Sequence, residues 1–251
     1  MNEINKPILE VVVGSNLHGT AVSDGLEDLD LMAIVIEKKE QIIGFNIKDT
    51  WVERTKPEGV RSEAGDVDRT VYGLKKYLHL ALKGNPTILL ALFAPQEFIK
   101  HSNAAGMELQ SLAPRIVSQR VFMPFKGYMR QQHERLLGLR GQKNVTRPEL
   151  VDAYGYDTKY ASHIVRLGLQ GEEILLTGEM TLPMRQEHRE IIVDIRTGKY
   201  SLPQISELIS EAENRLVSAK EKTALAEKPD IEYIEKWMIK KYLSSWAVQP
   251  A

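Results

Sequence analysis

Apolar residues fall into two regimes along the chain. Up to about residue 100 they form short runs separated by polar, Gly-containing segments, and beyond it they recur mostly at helical spacing. Residues 8–13 and 31–36 read as two strands, the first ending in Gly14-Ser15 and the second entered through Glu27-Asp28-Leu29-Asp30. Asp66-Val67-Asp68-Arg69-Thr70-Val71-Tyr72 alternates and predicts a third, while residues 41–53 read as a short strand or excursion. Glu37-Lys38-Lys39-Glu40 reads as a charged turn, and residues 54–65, with Pro57 and two glycines, as a loop whose Arg54, Lys56 and Arg61 can reach a phosphate. A helix over 74–82 stops at Lys83-Gly84, and Asn85-Pro86 restarts one through Phe93, Asn as cap and Pro in the first turn.

The second regime predicts helices over 108–119 and 125–137, with Pro124 as an interruption between them, and then a basic, flexible tract over 140–148. Asp157 or Thr158 caps a helix running through Gln170. Residues 172–183 read as a turn and extended piece, and 187–196 as a short helix or strand. Ser201-Leu202-Pro203 opens a long amphipathic helix, and Pro229-Asp230 starts a final one.

Two places carry chemistry. Asp28 and Asp30 project from one face of the second strand, where two carboxylates repel unless a cation or a proton sits between them. Hard divalent ions take oxygen ligands, commonly carboxylates together with substrate phosphates. Gly14-Ser15 offers backbone N–H groups and a hydroxyl where a phosphate can lie. A site that stabilises both attacking and leaving oxygens needs about three carboxylates, and Asp68 or Asp66 completes the set. The second place is the helix from residue 158, where Lys159, His163, Arg166 and Gln170 fall at i, i+4, i+7 and i+11 on one face of an otherwise apolar helix. That stripe either meets a triphosphate or pairs with glutamates such as Glu172 or Glu173.

Composition narrows this reading. With 251 residues, 43% hydrophobic and 27% charged, the chain can bury a sizeable core as one large domain or two small ones. A net charge of −1 supplies no global pull toward nucleic acid, so any polynucleotide contact rests on a local basic patch such as 140–148. The absence of cysteine excludes a disulfide framework, thiolate zinc sites and a cysteine nucleophile. No run reaches membrane-spanning length and residues 1–7 lack a signal-peptide pattern, which reads as a cytoplasmic protein with no membrane partner.

Gly14-Ser15, His18-Gly19-Thr20, Asp28-Leu29-Asp30, Asp68 ahead of Tyr72-Gly73-Leu74-Lys75-Lys76, Lys83-Gly84-Asn85-Pro86-Thr87, and Tyr156-Asp157-Thr158-Lys159 with His163 and Arg166-Leu167 occur in that order. Over roughly residues 8–245 the set resembles the predicted nucleotidyltransferases of the DNA polymerase beta superfamily, in the RNA-repair-associated branch of bacteria and phages. The resemblance implies that Asp28 and Asp30 are the two metal aspartates and Asp68 the third carboxylate. Gly14, Ser15 and His18 then lie on the phosphate-side loop, and Lys159, His163 and Arg166 serve the nucleotide. It further implies an α+β fold: a polymerase-beta-type sheet with flanking helices over residues 1–100, and a helical portion over 101–251 closing the nucleotide site. The expected activity uses Mg²⁺ or Mn²⁺ to transfer a nucleoside monophosphate from an NTP to an acceptor hydroxyl, with RNA or tRNA as the acceptor. A protein or small-molecule acceptor is the alternative, and a non-catalytic nucleotide or RNA sensor a further one. The loop Thr20 to Glu27 is longer than the family's usual one, which adds Asp24 and Glu27 as candidate ligands.

Overall fold

The computed structural model describes residues 5–22, 29–45, 47–56, 65–139 and 147–248. In chain order the elements are β1 (Leu9–Val12), α1 (Gly14–His18), β2 (Leu29–Val35), α2 (Lys39–Ile43), β3 (Thr50–Arg54), β4 (Val67–Gly73), α3 (Leu74–Ala81), α4 (Pro86–Phe93), β5 (Ile99–Ser102), α5 (Ala104–Ser111), α6 (Ala113–Ile116), α7 (Phe122–Leu136), α8 (Pro148–Tyr154), α9 (Thr158–Thr177), α10 (Gln186–Arg196), α11 (Leu202–Lys222) and α12 (Ile231–Val248). They group into two compact units, Met1–Val117 with Pro229–Ala251, and Ser118–Lys228. The class is α+β, as the resemblance implies.

The first unit is built on a five-stranded mixed sheet of order β3-β4-β2-β1-β5. β1 pairs antiparallel with β2 and β5, β3 antiparallel with β4, and β2 parallel with β4. β1, apart from Glu10, and the far end of β2 are apolar because both faces are covered: Leu9, Val11, Val12, Met32, Ala33, Ile34 and Val35 are all buried. β3 is an edge strand; Trp51 enters the core with Ala33, Val35 and Val71, while Glu53 and Arg54 are exposed, which suits an edge that must not recruit another strand.

Glu37 departs from the charged turn expected of it, being buried where the chain leaves β2. Its Oε2 accepts the Leu74 N–H at 2.9 Å, giving α3 the N-terminal acceptor that Gly73 lacks. A Cβ on Gly73 would overlap the Glu37 carboxylate, so a glycine there lets the acid approach. The Tyr242 hydroxyl donates to the same Oε2 at 2.5 Å, and Trp246 Nε1 donates to the Glu37 carbonyl at 2.8 Å. These bonds place α12, grouped with the helical portion on sequence grounds, in the first unit. Asn85 caps α4 as expected, accepting from Thr87 N and Ile88 N at 3.0 and 3.2 Å. The single helix expected over 108–119 is instead α5, capped by Asn103, and the one-turn α6, with Pro114 in its first turn.

In the second unit α9 is the spine, with α7, α10 and α11 packed on it. Pro124 does not interrupt α7; it sits in the first turn, where a missing N–H costs nothing. α9 passes the end expected at Gln170 and stops at Gly178, whose φ of 77° is left-handed. Gly168 and Gly171 are internal to it because neighbours press on them: added Cβ atoms would meet Ala212 and Met129 at the first, Leu216 and Phe125 at the second. Gly168→Val should therefore lower the unfolding free energy by about 1–3 kcal/mol. Gly127→Ala on α7, with nothing within 4 Å of the added methyl, should instead add up to about 1 kcal/mol. Denaturant midpoints compare the two, and equal shifts would contradict this packing.

Candidate active site

The sheet brings its acids together by register. Asp30 on β2 and Asp68 on β4 are Cα partners in the parallel pairing, so the two carboxylates start as lateral neighbours on one face. Gly14 follows β1 with φ 70°, and a Cβ there would overlap Oδ2 of Asp30. Glycine is thus required twice, for the left-handed turn and for the close approach of backbone to the carboxylate. Ser15 opens the turn of α1 beside it, held by the Thr20 N–H bonded to the Ser15 carbonyl at 3.0 Å. His18, in the last turn of α1, is buried together with Leu17.

Asp66 and Asp68 separate in role. Asp66 accepts the Thr55 hydroxyl at 3.0 Å and pairs with Lys56 at 3.0 Å, and its carbonyl accepts the Leu29 N–H at 2.8 Å. It pins β2 and the segment after β3 to the start of β4. Asp68 lies one alternation further on, level with Asp30, with Arg54 Nε at 3.6 Å. Arg54 and Lys56, two of the phosphate candidates, are thus placed against these acids. Asp28, Arg61, the loop acids Asp24 and Glu27, and most of the basic tract lie outside the described residues. Among the described residues no three His, Asp or Glu side chains gather as a metal centre. Asp30 and Asp68 nonetheless form a pair of oxygen donors suited to a hard divalent cation, with Gly14 leaving room beside them.

The second unit presents the basic face of α9. The Asp157 carboxylate caps it, accepting from Lys159 N and Tyr160 N at 3.0 and 3.1 Å, and Arg147 Nη1 binds the other oxygen at 2.8 Å while the guanidinium stands 4.9 Å from the Tyr160 ring centroid. Arg166 Nη1 donates to Gln170 Oε1 at 2.9 Å, one turn along the same face. Burial and the nearby charges of Arg166, Lys159, Arg147 and Arg135 hold the His163 imidazole well below its ordinary range, so it is neutral at pH 7. Burial, with Arg196 adding to it, brings Arg166 down to about 10. Glu172 bonds Arg215 at 2.6 Å and Glu173 bonds Arg185 at 3.1 Å, so neither glutamate neutralises the stripe. Arg135, Arg147 and Arg196 escaped the sequence reading as site residues. Arg147 has a signal in the basic tract, whereas Arg196 has none, since it reaches α9 from another helix.

No described helix is long and apolar enough to cross a membrane. The chain is 20% identical to an uncharacterized 38.9 kDa protein from the nrdC-mobD intergenic region of Enterobacteria phage T4, over 96% of this chain and 98% of that protein. A solved nucleotidyltransferase-like protein from Exiguobacterium sibiricum 255-15 superposes on 95% of this chain and 74% of its own, at 11% identity and a TM-score of 0.31. The profile of the RNA repair pathway DNA polymerase beta family matches residues 3–240, and the chain belongs to that family of polymerase-beta-type nucleotidyltransferases.

Proposed function

We propose that the protein transfers a nucleoside monophosphate from an NTP to a hydroxyl of RNA or tRNA, in end modification or repair. The observation that carries this is the register pairing of Asp30 with Asp68 against the Gly14 turn. Asp28, Asp30 and Asp68 are the residues that would hold Mg²⁺ or Mn²⁺. The bound ions would polarise the phosphate oxygens and lower the pKa of the attacking hydroxyl. Gly14, Ser15 and His18 belong to the phosphate-side turn, and Lys159, His163 and Arg166 supply charge to the triphosphate. Arg166 offers a planar fork and Lys159 a point charge, both suited to phosphate oxygens and to pyrophosphate as it leaves. Neutral His163 can orient a phosphate or a carboxylate by hydrogen bonding without adding to the repulsion among its cationic neighbours. The RNA acceptor is supported by the family's description.

At least one of the four labelled NTPs, with Mg²⁺ or Mn²⁺, should extend the 3′ end of at least one substrate in a panel of RNA and tRNA. Label appearing on a protein band with RNA untouched would select the protein acceptor instead. No transfer from any NTP to RNA, tRNA, DNA or cell protein would sink the reading.

A further inference from the structure

α7 buries one side and turns a basic one to solvent. Phe125 and Met129 are buried against the glycines of α9, while Lys126 and Arg130 stand one turn apart on the solvent side, the Arg130 side chain 76% exposed. Arg120 just before the helix and Arg135 in its last turn are exposed as well. Over residues 118–139 these four cations accompany a single acid, Glu134, which meets Arg130 at 3.6 Å. Arg120, Lys126 and Arg135 have no ion pair among the described residues. The Lys126 ammonium lies 5.7 Å from the Phe122 ring centroid, a contact that keeps it at the surface.

The rest of the unit does not share this charge. Leu202 to Asn214 of α11 carries Glu207, Glu211 and Glu213 and no cation. Charge separated in this way turns α7 toward a polyanion even though the chain's net charge is only −1.

Gly127 lies at the middle of the exposed face, and nothing comes within 4 Å of a Cβ built there. Gly168 and Gly171 answer to neighbours that press on them, whereas Gly127 has none and weakens its helix. A bare stretch of backbone beside two exposed cations lets a ligand from outside approach closely. Lys126 and Arg130 are about 6 Å apart along the axis, on the scale of successive phosphates in a polynucleotide strand. Phe125 is buried, Phe122 lies beneath Lys126 and Tyr128 is half-buried, so the face offers charge rather than an open ring for a base to stack on. Backbone contact without stacking suits paired RNA better than an unpaired strand.

We propose that the outer face of α7, with Lys126 and Arg130 beside Gly127, binds the phosphate backbone of a paired RNA stem. This rests on the RNA-acceptor reading for its biological ligand, but its test does not need turnover.

The test is fluorescence anisotropy of a labelled RNA stem-loop with the full chain, without NTP, over a range of salt concentrations. It compares the parent, Lys126→Gln/Arg130→Gln, Gly127→Leu and, as a charge-matched control away from α7, Lys222→Gln/Lys228→Gln, each checked by thermal melting. The parent should bind the stem-loop more tightly than an unpaired strand of the same length. Lys126→Gln/Arg130→Gln should lose affinity about tenfold or more, with the slope of log affinity against log salt flattened by about two. Gly127→Leu should bind several-fold more weakly while melting no lower than the parent, and the control should bind like the parent. RNA binding with this pattern but no nucleotidyl transfer would remove the enzymatic reading and leave the face standing. Transfer to RNA with parent-like binding in Lys126→Gln/Arg130→Gln would do the reverse. No binding by the parent, tighter binding of the unpaired strand, parent-like binding by Gly127→Leu, or an equal loss in the control would each overturn the proposal. So would Lys126→Gln/Arg130→Gln losing affinity for phosphatidylserine vesicles but not for RNA, which would assign the face to a lipid surface.

Discussion

Asp30→Asn and Asp68→Asn are each expected to cut nucleotidyl transfer by at least about a thousandfold, the order of effect when several kcal/mol of metal-borne charge stabilisation is withdrawn. Both should do so without unfolding the protein. In the parallel pairing the two carboxylates are level with one another, and like charges side by side on a sheet cost stability when no cation joins them. Changing one to an amide removes that repulsion. The ion pair of Asp68 with Arg54, at 3.6 Å, is partly exposed and of small worth. Melting curves without metal should show both variants as stable as the parent or more so. Adding Mg²⁺ or Mn²⁺ should raise the parent's midpoint and leave those of the variants nearly unchanged, because a ligand that binds the folded state stabilises it by mass action. Turnover at the parent's rate in either variant would remove that residue from the metal set. Asp66→Asn separates the two sequence candidates: Asp66 is engaged by Thr55 and Lys56, so its loss should act on stability more than on rate.

The parts of this site legible in the sequence were those fixed by local rules. Alternation along a strand set the spacing of the aspartates, and a cap followed by Pro placed the start of α4 at Asn85-Pro86. Asp157, one of two cap candidates, is the residue that caps α9. What the sequence hid is set by contacts between distant segments. α9 runs past the end expected at Gln170 because Gly171, which in isolation reads as a stop, is a point of close packing against Leu216 and Phe125. Alternation alone leaves Asp66 and Asp68 equivalent and the resemblance points to Asp68; the β2–β4 register puts Asp68 level with Asp30. Arg196 carries no periodic or motif signal, because its relevance comes from α10 packing on α9. Glu37 sits in a run of four charged residues, and nothing nearby in the chain announces that Tyr242 and Leu74 will meet its carboxylate.

Glu37 is also where stability should be most sensitive to a single side chain outside the chemistry. Glu37→Ala is expected to cost about 2–4 kcal/mol, since it strands the buried Leu74 N–H and Tyr242 hydroxyl together. Both donors converge on Oε2, so Glu37→Gln can keep both bonds through its single carbonyl oxygen and should cost about 1 kcal/mol or less. The amide also separates charge from packing. Burial raises the Glu37 carboxyl above its ordinary value of 4.5, against the opposing bonds from Tyr242 and Leu74. A raised acid favours the folded state while protonated: its contribution is whole below 4.5 and is lost as pH climbs through the higher folded value. Relative to Glu37→Gln, which does not titrate, the parent should therefore lose unfolding free energy as pH rises from 4.5 through that window, and hold a constant difference above it. Tyr242 stays a donor throughout, because burial first and the Glu37 carboxylate second push its phenol upward. Urea denaturation of the parent and both variants across the acid range reads this directly. A parent that gained stability over Glu37→Gln with rising pH would mean that the ionised carboxylate is the favoured partner of α3 and α12.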